Sequence, residues 1–300
     1  MYVKTLIGLY LESADFKRLG RLAKSQYRYM LCRVDDEFIE DKKQFGEYLA
    51  RSISTPECQV LYDKLTDIGK DTSYANKCNT IIKKLFNWGI KYGHIVNNPF
   101  TLVETVASPK RKVVWKQEQI KQFLRVAYSD FNTRNVGIIV HMAYEFAQRV
   151  GDMRTLEWDN IDFGNKVLNL TQSKRRAEVH IPISNDLMPV IEQQRKDFGW
   201  QKLVAPHIYN SMTVPYSIET FSRKARYIMN KAKLPGELRV SDLRRTATTE
   251  MAEAGVGMAQ IMSVTGHSNP QSVKPYLKNT LTTASNACNL RSTHTGGLTI

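Results

Sequence analysis

The sequence predicts a mainly α-helical protein with a small β-hairpin or sheet, organised as two domains. Three observations lead there. The chain has 300 residues, more than one typical core requires. Helical periodicity fills residues 1 to about 100 and resumes beyond about 115. One stretch, KVLNLTQSKRRAEVHIPI at residues 166–183, changes instead to β-rich runs on either side of a polar turn, the pattern of a hairpin.

In the first region, turn signals at SADF, RSISTPE and GKDTS separate periodic segments. The clearest is SYANKCNTIIKKLFNWGIKYG, Ser73 to Gly93, which opens on a serine cap and stops at a glycine. On a helical projection Cys78, Ile82, Leu85, Phe86 and Gly89 gather on one side, and Lys77, Lys84 and Lys91 recur every seventh residue along its edge. The commoner meaning of a lysine stripe is a solvated face; in a chain this basic it is also a surface that can track phosphates.

NNPFTLVETVASPKRKVVW, residues 97–115, carries two prolines and the basic run Lys110, Arg111, Lys112 without periodicity, and is expected to hold the interdomain linker. The expected division is a helical domain over 1–100, a basic linker over 101–115, a second domain over 116–278 and a tail over 279–300. Helical patterns resume at KQEQIKQFLRVA and RNVGIIVHMAYEFAQ, give way to the hairpin, and return from about residue 215. Trp158 and Ile161 read as core. The tail is rich in Thr, Ser and Asn, has little to bury, and is expected to be mobile in isolation.

Lys plus Arg is 43 against 29 Asp plus Glu, so the net charge of +14 points to a polyanionic partner, nucleic acid before an acidic membrane surface. No apolar run approaches the length of about 20 residues that spans a bilayer, and the N-terminus lacks a signal-peptide pattern, so a cytoplasmic protein without a membrane partner is expected. Cys32, Cys58, Cys78 and Cys288 are scattered without CxxC pairing, which suits reduced, mostly buried thiols. The histidines are dispersed too, so no Cys/His metal motif is present.

The chemistry starts from TGHSNPQSVKPYLKN, residues 265–279, where His267 precedes Tyr276 by nine positions. Structurally, it reads as a helix ended by Gly266, a loop, and a short helix begun by Asn269 as cap with Pro270 at its first position. A nucleophilic Tyr276 on a phosphodiester would need positive charge for the non-bridging oxygens, a proton donor for the leaving oxygen, and an acceptor for its own proton. Arginine suits the first role, because its planar fork bonds two phosphate oxygens and stays charged. In FAQRVGDMRTLEW, Arg149 follows an apolar helix and precedes the Gly151-Asp152 break. In VSDLRRTATTEMAEAG, Ser241 can cap a helix whose Leu243, Ala247 and Met251 face inward, leaving Arg244 and Arg245 in the first turn.

Arg149 in AQRVGDMRTLEWDNID, Lys174 in TQSKRRAEVHIP, Arg244 in SDLRRTATTEMAEAGV, His267 in TGHS and Tyr276 in VKPYLKN together resemble the tyrosine recombinase (phage integrase) family, in the right order over residues 115 to 280. The first domain is similar to the helical core-binding domain of such enzymes. The resemblance implies a clamp around DNA made of that domain and an α+β catalytic domain. It implies site-specific cleavage and rejoining of DNA for a phage or other mobile element, through a 3′-phosphotyrosyl link. Arg149 and Arg244 would hold the scissile phosphate, Lys174 would protonate the departing 5′ oxygen, His267 would bond the phosphate or assist proton transfer, and Tyr276 would attack. DNA-binding roles would fall to Lys77, Lys84, Lys91, Lys110, Arg111, Lys112, Arg175, Arg176 and Arg245. The expected partners are double-stranded recombination sites, other protomers in a synaptic tetramer, and DNA-bending accessory proteins. No cofactor is expected, because one phosphodiester is exchanged for another.

Two departures from the family pattern stand out. Ser241 occupies the place where the family usually has a histidine; it can contact a phosphate oxygen but cannot serve as a base near neutrality. The hairpin reads SKRRA where many relatives have a glycine shortly after the lysine, so Arg175 and Arg176 compete with Lys174 for its role. Asp152 reads as orienting Arg149 or capping its helix. Two other readings remain: a type IB topoisomerase with the same chemistry, and a DNA-binding regulator that keeps the fold without catalysis.

Overall fold

Two large buried clusters of apolar side chains and a small third one, of Ala252, Ile261 and Val273, organise the described residues. The computed structural model describes residues 1–40, 43–68, 72–109, 111–174, 176–276 and 281–296 and divides into two compact units, Met1–Arg111 and Lys112–Ile300. The fold is mainly α with small antiparallel sheets.

The first unit comprises α1 (Val3–Glu12), α2 (Ala14–Lys17), α3 (Arg21–Asp35), a short ladder of β1 (Phe38–Glu40) with β2 (Lys43–Gln44), α4 (Thr55–Ile68) and α5 (Thr72–Lys91). Leu6 and Tyr10 of α1, Leu61 and Leu65 of α4, and Leu85 and Phe86 of α5 meet in its core, where Phe86 packs edge-on against Phe100 at 5.0 Å. Complete burial of side chains of this size contributes about 1.5–3 kcal/mol each. The expected apolar side of α5 is the buried one, with Cys78, Ile82, Leu85, Phe86 and Gly89 all covered. The helix begins at Thr72, so Ser73 lies inside it rather than capping it, and the chain leaves at Gly93 with φ 72. Residues beyond Phe100 are not a loose connection: Val106 donates its N–H to Tyr62 Oη (2.9 Å) and Asn76 Nδ2 donates to Val106 O (2.8 Å), which lays this extended strip on α4 and α5.

The second unit opens with Trp115, which is buried and donates its backbone N–H to Thr246 Oγ1 (2.9 Å) and its indole Nε1 to Arg239 O (3.0 Å). It continues through α6 (Gln117–Tyr128), α7 (Phe131–Glu145) and α8 (Val150–Met153), then an antiparallel sheet of β3 (Ile161–Asp162), β4 (Val167–Thr171) and β5 (Glu178–Pro182) in that order. After it come α9 (Met188–Phe198), a hairpin of β6 (His207–Tyr209) with β7 (Met212–Val214), α10 (Ile218–Lys231), α11 (Leu243–Glu253), α12 (Met258–Thr265) and α13 (Leu281–Thr295). The expected hairpin is β4–β5, paired from Val167↔Pro182 to Thr171↔Glu178; its third strand β3 and the β6–β7 hairpin lay outside the sequence reading because they are two and three residues long. Helix α7 is the central one, with Val136, Ile138, Ile139, Val140, Met142 and Ala143 all buried. Gly137 lets α6 come close, since a Cβ there would stand 2.7 Å from Ala127 Cβ.

Ile161 is buried and Trp158 packs against the same core. The tail is helical as α13, exposed over most of its described side chains, and Asn286 Nδ2 reaches Glu253 O at 3.4 Å. All four thiols are free: Cys58 and Cys78 are buried, and burial pushes them up to about 12 and about 11, while Cys32 and Cys288 are exposed. Among the described residues no helix is long and apolar enough to cross a membrane.

Candidate active site

The break between α7 and α8 presents the first arginine. Phe146 and Ala147 are buried, Ala147 turns the chain with φ 49, and Arg149 is extended at the N-cap position before α8 begins. Arg149 Nη1 donates to Gln172 Oε1 (2.9 Å), and Asp152 Oδ2 stands 3.8 Å from the same nitrogen. Asp152 is buried, and its other oxygen accepts from Ser173 N (3.0 Å) and Ser173 Oγ (2.5 Å). It therefore ties the turn of the β4–β5 hairpin to the Arg149 end of α8. Lys174, one residue beyond Ser173, is exposed at that turn. The turn closes with Arg176 N to Gln172 O (3.0 Å), and Arg176 takes φ 55, the left-handed conformation that glycine adopts at least cost. Arg175 and Lys110 lie outside the described residues.

Helix α11 presents the second arginine from its first turn. Arg244 is only 9% exposed. Its Nη2 donates to Thr265 O (2.6 Å) and to His267 Nε2 (3.3 Å), and its Nη1 donates to Gln148 Oε1 (3.3 Å). Because an arginine only donates, His267 Nε2 is the accepting nitrogen here; Nδ1 then carries the proton and donates to Thr265 Oγ1 (2.7 Å), which donates onward to Ile261 O (2.6 Å). His267 is thereby fixed as the neutral Nδ1–H tautomer with its Nε2 lone pair turned to the arginine.

Gly266 ends α12 in the left-handed conformation at φ 65, as its place in the sequence predicts, and Asn269 caps the turn Pro270–Ser272 by accepting from Gln271 N (2.9 Å). Gly266 has a second constraint: a Cβ would come 2.6 Å from Gln172 Nε2. Tyr276 then sits in a single 3-10 turn, Lys274–Tyr276, and packs on the small cluster of Ala252, Ile261 and Val273. Its ring lies 6.3 Å from that of His267, and the Arg245 guanidinium lies 5.2 Å from its centroid. Neighbouring arginines on α11 thus divide: Arg244 enters the buried network and Arg245 covers the tyrosine ring.

Ser241 departs from expectation. It is exposed within the 3-10 turn Val240–Asp242 and does not cap α11. Asp242 precedes the helix instead, and its carboxylate reaches back to Arg239 N (3.1 Å), because the tight turn brings that N–H within range.

The sequence reading missed Gln148 and Gln172, both fully buried between the arginines, and Thr265, whose backbone oxygen both Gln172 and Arg244 share. The available signal was positional, since Gln148 directly precedes Arg149 and Gln172 stands two residues before Lys174. It also missed a basic hollow on α3 lined by Arg21, Lys24, Ser25, Arg28 and Tyr29. Beside it Gln26 and Tyr27 of α3 share a groove with Asn76 and Lys77 of α5. In the predicted lysine stripe, Lys77 and Lys84 are exposed and Lys84 lies 5.3 Å over the Tyr27 ring, while Lys91 is paired with Asp15 at 3.2 Å. The Lys91 pair lowers the Asp15 carboxyl through its hydrogen bond and raises the lysine by the same contact. Lys112 is exposed and Arg111 half-buried. Among the described residues no His, Cys, Asp and Glu group forms a metal-ion ligand set.

The model of the phage integrase family matches residues 114–282. A tyrosine recombinase XerC-like protein of Caldanaerobacter subterraneus subsp. tengcongensis is 22% identical over 273 residues, covering 77% of this chain and 68% of that protein. A shufflon-specific DNA recombinase of Escherichia coli is 23% identical over 223 residues, covering 71% of this chain and 54% of that protein. Among solved structures, a λ integrase (75–356) dimer bound to a COC′ core site superposes with a TM-score of 0.76 at 17% identity, covering 93% of this chain and 96% of that one, a likeness of fold.

Proposed function

This chain belongs to the phage integrase family of tyrosine-type site-specific recombinases, and from that premise we propose that it cleaves and rejoins duplex DNA with Tyr276 as nucleophile. The observation that carries the reading is the single polar network in which Arg149, Arg244 and His267 are joined within ring distance of Tyr276. Two guanidinium groups suit the non-bridging oxygens of a phosphodiester, whose charge rises as the nucleophile approaches. The Tyr276 oxygen forms a bond to phosphorus while the bond to the 5′ oxygen breaks, and that oxygen takes a proton from Lys174. The tyrosine proton leaves to water, to the phosphate or to His267 Nε2. Attack by a 5′ hydroxyl reverses the step, so bond energy is kept and strand exchange needs no ATP.

DNA grip is assigned to Lys77 and Lys84 on α5 with Arg21, Lys24 and Arg28 on α3 in the first unit. In the second unit it is assigned to Arg176, and the connecting residues Arg111 and Lys112 add to it. Exchange would use further protomers, up to a synaptic tetramer, on a phage or other mobile-element site. The test is to incubate the protein with DNA from its own genomic neighbourhood and map covalently linked ends. A 3′ linkage at one recurrent sequence is expected. Links spread without sequence preference would favour the topoisomerase reading, and binding without any link would favour the regulator.

Ser241 allows a sharper expectation. Exposed and outside the arginine network, it offers at most one neutral hydrogen bond to phosphate, worth about 0.5–1.5 kcal/mol, so Ser241→Ala is expected to stay active within roughly tenfold of wild type. Ser241→His is expected to keep or raise the rate and add a pH dependence near about 6–7. Single-turnover cleavage of a nicked half-site across pH checks both. A Ser241→Ala loss as large as that of Arg244→Ala, with affinity intact, would make the serine essential.

A further inference from the structure

Resting on that reading of the site, we propose that Gln148 and Gln172 are positioning residues: a pair of buried carboxamides that sets both arginines for the phosphate at once. Both carboxamides are held by several directed hydrogen bonds. Gln148 Nε2 donates to Phe146 O (3.0 Å) and Val264 O (2.7 Å), and its Oε1 accepts from Arg244 Nη1 (3.3 Å) and Gln172 Nε2 (2.6 Å). Gln172 Nε2 also donates to Thr265 O (2.8 Å), and its Oε1 accepts from Arg149 Nη1 (2.9 Å). Both side chains are fully buried, so neither meets substrate. Each amide can adopt only one orientation here, because its nitrogen must face main-chain oxygens and its oxygen must face an arginine.

The chain of bonds runs Arg149, Gln172, Gln148, Arg244, with Thr265 O bonded to both Gln172 and Arg244. It joins the end of α7, the β4–β5 turn, the end of α12 and the start of α11, four segments distant in sequence. A carboxamide orients a guanidinium by a directed bond without bringing an opposing charge. A carboxylate at either position would add a charge that competes with the phosphate for the same donors. The geometry also accounts for Gly266, which leaves the space that Gln172 Nε2 occupies.

The test is a pair of double-mutant cycles on single-turnover cleavage, with the nicked duplex recovered by mapping protein-linked DNA ends as probe. Gln172→Met is expected to lower the cleavage rate roughly 10- to 100-fold, the size that follows misplacement of a catalytic group, with DNA affinity within about threefold of wild type. In the Arg149→Ala background the same change is expected to cost less than about threefold, because the guanidinium that Gln172 bonds is gone, and in the Arg244→Ala background less than in wild type, because the network that joins the two arginines is already broken. A merely structural glutamine would give additive losses in both backgrounds, and that result overturns the proposal. If Gln172→Met loses its cooperative melting transition, Gln172→Asn takes its place in the cycles, with the same non-additivity expected and additivity again overturning the idea. Wild-type protein that forms no covalent link defeats the recombinase reading itself; a wild-type link with additive cycles defeats only the role of the glutamines.

Discussion

Tyr276→Phe is expected to bind its DNA site as tightly as wild type and to form no covalent adduct. The phenyl ring keeps what holds the side chain in place: packing on Ala252, Ile261 and Val273, the Arg245 guanidinium at 5.2 Å and the His267 ring at 6.3 Å. A cation over an aromatic face contributes about 0.5–1 kcal/mol at an exposed site, and phenylalanine retains most of it. Only the hydroxyl is lost, and with it the atom that bonds phosphorus. Denaturing gels of a nicked half-site, run beside a binding titration, separate the two effects. An adduct that survives in this variant would remove Tyr276 from the mechanism.

Arg149→Ala and Arg244→Ala are each expected to lower cleavage by roughly 10² or more, the loss that follows removal of a positioned transition-state donor. Their costs to stability should differ, and the structure gives the direction. Arg149 keeps 27% of its side chain exposed, so water can reach the groups its truncation would leave behind, the Gln172 Oε1 it bonds and the Asp152 carboxylate at 3.8 Å, and the melting temperature should fall only modestly. Arg244 is buried and donates to Thr265 O, Gln148 Oε1 and His267 Nε2. Thr265 O and Gln148 Oε1 keep their bonds from Gln172 Nε2, but the loss empties a buried site and removes the donor that faces His267 Nε2, so the melting temperature should fall. Arg244→Lys should not restore activity, since one ammonium cannot reproduce a planar fork that faces several acceptors and a phosphate. A purely salt-dependent loss of binding, with the cleavage step intact, would reassign either arginine to DNA positioning.

Much of the fold was legible because burial leaves a period in the sequence. The apolar side of α5, the apolar run of α7 and the alternation in β4–β5 each exceed the length at which a pattern can be read. Short elements escaped, as β6 and β7 did, because three residues make no period. Local end signals were legible where one residue suffices, as at Gly266 and Asn269, and failed where neighbours compete. At the start of α11 Ser241 could cap by residue type, but the 3-10 turn Val240–Asp242 puts Asp242 before the helix and turns its carboxylate back to Arg239 N.

By itself the sequence determined the fold class, the helix and hairpin periods and the basic charge, since each depends on residue type and spacing along the chain, while the candidate set Arg149, Lys174, Arg244, His267 and Tyr276 came from its resemblance to tyrosine recombinases. Tertiary structure alone decided which groups share a proton or a donor. Gln148 to Gln172, Asp152 to Ser173 and Arg244 to Thr265 span 24, 21 and 21 positions, and a hydrogen bond between buried groups depends on distance in space. The same holds for the tautomer of His267. Its proton sits on Nδ1 because α11 brings an arginine, which can only donate, to the opposite nitrogen.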